Sequence, residues 1–95
     1  MNEAKLLGYV LMGTTKEAVE KVKKFSFTKS KHKIILDAML SLAANNKAID
    51  TVSVYQELKR INKIDEVGGA AYLSRLTQDI SHTAEIEKYL DNIYK

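Results

Sequence analysis

Ninety-five residues suffice for one domain around one core and are too few for two. With 45% apolar and 28% charged residues, no Pro, no Trp and only four Gly, the chain lacks the turn formers that strands and hairpins need, which points to an all-α class. The absence of Cys excludes a disulfide framework and thiol chemistry and suits a cytoplasmic setting, and no apolar run is long enough to cross a membrane.

The net charge of +3 is unevenly spread: residues 16–33 carry seven Lys against Glu17 and Glu20, whereas the chain from Asp37 onward is net acidic. A Lys-rich stretch can meet phosphates, but this one has no Arg and offers only Phe25 and Phe27 for base stacking. It reads first as a solvated helix face, and direct DNA binding is not expected.

In chain order, residues 3–12 read as a first helix with Leu7, Val10 and Leu11 on one face. Thr14 and Glu17 have capping-box spacing and start a second helix, with Ala18, Val19, Val22 and Phe25 on its apolar side. Ser30 reads as the cap of a third helix, whose stripe Ile35, Ala38, Met39, Leu42 is the clearest amphipathic signal in the chain and whose end falls at Asn45-Asn46. Ser53 and Gln56 form a second capping box for a fourth helix with Val54, Leu58 and Ile61 inward. Gly68-Gly69 then opens a fifth helix, with Leu73 and Leu76 inward and Asp65-Glu66 supplying negative charge at its start. A sixth helix begins near Ser81 or Thr83 and buries Ile86, Leu90 and Ile93. The expectation is a compact single-domain bundle of about six short helices joined by short connections.

Two glycines at a helix start are costly, about 1 kcal/mol each relative to Ala in a helix interior. They imply either close backbone packing or a backbone angle that other residues avoid. On the packing account, Gly69→Val overpacks a helix–helix contact.

No catalytic, metal or cofactor site is expected from these residues. Gly8 and Gly13 have the glycine spacing of a phosphate loop, but Thr14 stands where its Lys belongs and the segment lies in an apolar helix. His32 and His82 each lack a partner at ligand spacing and read as surface or capping residues. Asp65 and Glu66 are adjacent and do not converge on one site. Ser30, Ser53 and Ser81 are accounted for as caps, so no nucleophile–base pair stands out.

Several segments, in order, carry a resemblance. Glu3 to Gly8 has an E-x-x-x-L-G pattern; Phe27, His32, Ile35, Ala38 and Leu42 follow at fixed spacing; Ile49 to Val54 reads I-D-T-V-S-V; Glu66-Val67-Gly68-Gly69 is followed by Tyr72-Leu73; and Thr83 to Tyr89 closes the series. Together they resemble the N-terminal head domain of DnaB-type replicative helicases. Glu85 stands where the family usually has Asn, and Thr28 where a second aromatic is usual.

The resemblance implies that residues 1–95 form a head domain on the N-terminal side of a hexameric ring helicase, non-enzymatic by itself. ATP, Mg and the helicase reaction would belong to a motor domain absent from this chain. The implied partners are the helicase-binding C-terminal domain of primase, a helicase loader, or both, with self-association in the full-length hexamer and no membrane. Gly68, Gly69, Leu73, Ser53 and Asp50 are the implied structural motif, and Tyr72, Arg75 and Tyr89 the candidate partner-binding residues. Tyr72 lies about 100° around the helix from Leu73, so it either faces solvent or is partly buried against a neighbouring helix. A free-standing replication adaptor or loader-like protein of the same fold is the alternative, because the primase C-terminal domain is itself similar in fold; a small basic nucleic-acid-binding module is another.

Overall fold

The computed structural model describes residues 3–12, 16–23, 25–78 and Lys88, with side chains of residues 16–18 not described. Within them five helices follow in order: α1 (Glu3–Leu11), α2 (Lys16–Val22), α3 (Ser30–Ala44), α4 (Thr51–Arg60) and α5 (Gly69–Gln78). No strand occurs among the described residues. The sixth helix, the Thr14 cap, His82 and Tyr89 lie outside them.

α1 lies at the centre of the bundle, packing on α5, α3 and α2, while α3 also packs on α4. This explains a departure from the one-face reading: Leu6 to Leu11 are all buried, because α1 has neighbours on several sides. Gly8 is among them, inside α1. The α3 stripe holds as read, and His32, Leu36 and Ala43 join it in the core. Val54 and Leu58 of α4 are buried, but Ile61, the residue that closes α4, is 36% exposed rather than inward.

The helix ends show how local sequence sets the turns. α3 and α4 stop in the same way: Asn46 and Asn62 take left-handed φ values of 56° and 61°. The amide of the next residue then bonds three residues inside the helix end, Lys47 to Leu42 at 2.9 Å and Lys63 to Leu58 at 2.8 Å. These are Schellman closures, with Asn in the position Gly usually fills.

Both helix starts differ from the sequence reading. Ser30 is the first helical residue of α3 and not its cap; Lys29 holds the cap position and makes no side-chain cap bond. α4 begins two residues before Ser53, and Asp50 is its cap, accepting from the Ser53 amide at 2.8 Å. Ser53 therefore receives the cap instead of supplying it.

The α4–α5 connection is a tight turn plugged by Val67, which is fully buried. Gly68 and Gly69 have φ of +102° and +74°, angles that side chains avoid. Of the two explanations for the pair, the backbone angle holds for both. The overpacking expected at Gly69 does not: a Cβ built there meets nothing within 4 Å. Close approach belongs to Gly68, whose built Cβ would lie 3.0 Å from the Cβ of Tyr72.

Candidate functional site

The α4–α5 turn and the first turns of α5 face the start of α3 across an open cleft of about 380 Å³. Asp65, Glu66 and Gly68 line it from the turn, Tyr72 and Arg75 from α5, and Lys31 from α3. Arg75 is exposed, and Tyr72 is half-buried. The Lys31 ammonium lies 4.0 Å from the centre of the Tyr72 ring, a cation–π distance. Glu66 pairs with Lys63 at 3.2 Å. The adjacent carboxylates Asp65 and Glu66 thus do reach one cleft, contrary to the expectation, because the turn carries both along its rim.

Behind the cleft runs a polar chain centred on a buried histidine. Nδ1 of His32 lies 2.7 Å from Oε1 of Glu3, and Nε2 lies 2.5 Å from the Tyr72 hydroxyl. His32 is 1% exposed, so it is a core residue rather than a surface or capping one. Glu3 also accepts from the Thr28 amide at 2.9 Å, the Thr28 hydroxyl at 3.2 Å and the Lys29 amide at 3.1 Å. A carboxylate from α1 therefore sits just ahead of α3, where negative charge is favoured and no local cap is available. Burial pushes the Glu3 carboxyl up, but the hydrogen bonds from Thr28, His32 and Lys29 outweigh it and hold the group at about 2, against an ordinary 4.5. Burial raises the Tyr72 hydroxyl, with nearby Glu3 adding to the effect and the charges of Lys29 and Arg75 opposing it.

A second polar cluster ties α3 to α4. Glu57 accepts from Ser41 at 3.0 Å and from Arg60 Nε and a terminal guanidinium nitrogen at 2.9 and 2.8 Å. The Arg60 hydrogen bonds lead, burial opposes them, and Ser41 with the Arg60 and Lys47 charges completes the balance, holding the carboxyl at about 2.

Among the candidate residues, Tyr72 and Arg75 share the cleft with Gly68. Leu73 is fully buried in the core and does not line the cleft. Asp50 and Ser53 serve the start of α4 and do not line the cleft. Tyr72 is turned partly inward, because its hydroxyl reaches His32. Sequence reasoning missed Glu3, Lys31 and the buried role of His32. A signal for His32 was present: it stands three residues before Ile35 and seven before Met39, extending the apolar stripe of α3 by a turn.

The fold and cleft define a small all-helical module that presents an aromatic side chain between cations and carboxylates. Comparison with known families makes the assignment specific: the DnaB-like helicase N terminal domain family matches residues 1–95, and the chain belongs to it. It is 33% identical over 89 residues to the replicative DNA helicase DnaB of Leifsonia xyli, covering 92% of this chain and 20% of that protein. It is 35% identical over 63 residues to the replicative DNA helicase DnaB of Geobacillus stearothermophilus, covering 66% of this chain and 14% of that one. The crystal structure of the N-terminal domain of DnaB helicase from Mycobacterium tuberculosis superposes with a TM-score of 0.78 at 28% identity, covering 93% of this chain and 62% of that structure. The chain thus spans a fifth or less of the length of these two helicases.

Proposed function

We propose that this chain serves as the head domain of a cytoplasmic, hexameric replicative helicase, where it builds the N-terminal part of the ring and docks the helicase-binding domain of primase or a helicase loader. Its family supports the setting, and the observation that carries the docking role is Tyr72 in the cleft. The ring is half-exposed, packed against the hydrophobic core and flanked by Lys31 and Arg75. A large aromatic with little rotamer freedom beside paired charges is the composition of an interface anchor. ATP hydrolysis and Mg binding are assigned to a motor domain and not to these residues. Self-association belongs to the hexamer.

The test is the affinity of wild type and Tyr72→Ala for the C-terminal domain of primase. An anchor should lose about 2 kcal/mol or more, roughly thirtyfold in Kd. Unchanged affinity removes Tyr72 from the interface.

A further inference from the structure

The chain Glu3–His32–Tyr72 is pinned at its carboxylate end. A carboxyl held at about 2 is ionised near neutrality and can only accept, so Nδ1 of His32 carries the proton in the 2.7 Å contact. Nε2 of the same ring lies 2.5 Å from the Tyr72 hydroxyl, which gives or receives the hydrogen according to the proton count of the ring. The hydroxyl of Tyr72 is thereby consumed inside the domain, and what the cleft offers a partner is the ring. The same ring is constrained at its root, where Gly68 leaves room for the Tyr72 Cβ, and on one face by Lys31. The imidazole and phenol planes lie within 18° of each other, which fits a hydroxyl held in the plane of the imidazole. Glu3 is itself anchored by two backbone amides, so its carboxylate has little freedom to let the imidazole turn.

We propose that Glu3 and His32 are positioning residues that lock Tyr72 in one rotamer, so that the cleft meets its partner already ordered. The inference rests on the docking role above for its use, but the lock is a property of this chain alone. Ordering one side chain before binding removes an entropic cost equivalent to roughly 2- to 12-fold in affinity.

The first readout needs no partner. Three-bond couplings to the Hβ protons of Tyr72, measured by NMR on the 95-residue chain, report its χ1 populations. A single rotamer is expected in wild type and averaged rotamers in His32→Phe, which keeps an aromatic in the core and removes both nitrogens. Should His32→Phe fail to fold, Tyr72→Phe breaks the same hydrogen bond by deleting one hydroxyl, and the residue 72 ring should average. A single rotamer persisting in a folded His32→Phe or in Tyr72→Phe overturns the lock.

The second readout is affinity for the primase C-terminal domain. His32→Phe should weaken it several-fold in the wild-type background and not at all on top of Tyr72→Ala. Equal losses in both backgrounds would mean that His32 acts by general structural support, and the proposal fails. If wild type does not bind this probe, primase docking fails, and the rotamer measurement still decides the lock.

Discussion

A Cβ placed on Gly68 would lie 3.0 Å from the Cβ of Tyr72, tighter than nearly all such contacts in folded proteins. The missing side chain is what lets the tyrosine stand against the turn, so one glycine sets both the start of α5 and the floor of the cleft. Gly68→Ala should add left-handed strain to this contact and cost about 1–3 kcal/mol. For a domain of this size that is a drop in melting temperature of roughly 4–8 °C per kcal/mol, with Tyr72 resonances moved. An unchanged melting curve would show that the contact relaxes freely.

Gly69 separates angle from packing. Its φ is +74° with open space around it, so strain and not volume is the objection to a side chain there. Asn tolerates left-handed backbone and β-branched Val does not. Thermal melts should therefore show Gly69→Asn close to wild type and Gly69→Val destabilised by about 1–3 kcal/mol. Equal losses for these two residues of similar size would restore the packing account.

The start of α4 distinguishes two neighbouring candidates for one cap. Asp50 accepts from the Ser53 amide, and no hydrogen bond donated or accepted by the Ser53 hydroxyl is needed for that. Asp50→Ala should cost about 0.5–2 kcal/mol in urea unfolding, Asp50→Asn much less, and Ser53→Ala little. The reverse order would place the cap at Ser53.

These cases show what was legible. The stripe of α3, the turn at Asn46 and the opening of α5 at the glycine pair depend on periodicity or on one residue's backbone angle, and both are local in sequence. Asp50 and Ser53 are two good cap residues three positions apart, and local chemistry alone does not rank them. The cleft was half legible: Tyr72 and Arg75 lie three residues apart on one helix, whereas Lys31 comes from α3. The Glu3–His32–Tyr72 chain was not legible as a contact, since its links span 29 and 40 positions. The loss of a local cap at Ser30 is the other side of that chain, because Glu3 supplies the negative charge from α1.

Acid should unfold the domain through its two depressed carboxyls. Glu3 and Glu57 stand at about 2 in the folded chain against an ordinary 4.5. A folded value below the unfolded one means that the stability they add is complete above about pH 4.5 and is lost as pH falls towards 2. Urea midpoints should decline across that window, and Glu3→Gln with Glu57→Gln should flatten the decline while lowering the plateau at neutral pH. A wild-type midpoint constant from pH 4.5 to 2 would contradict both assignments.

The central claim is that the cleft around Tyr72 is a docking surface for a replication partner. Its most direct test is an NMR titration of the isotope-labelled chain with the C-terminal domain of the cognate primase at moderate salt. Saturable shifts concentrated on Lys31, Gly68, Tyr72 and Arg75 are expected. Saturable shifts confined to other surfaces would contradict it, and no shifts at high partner concentration would remove primase as the partner.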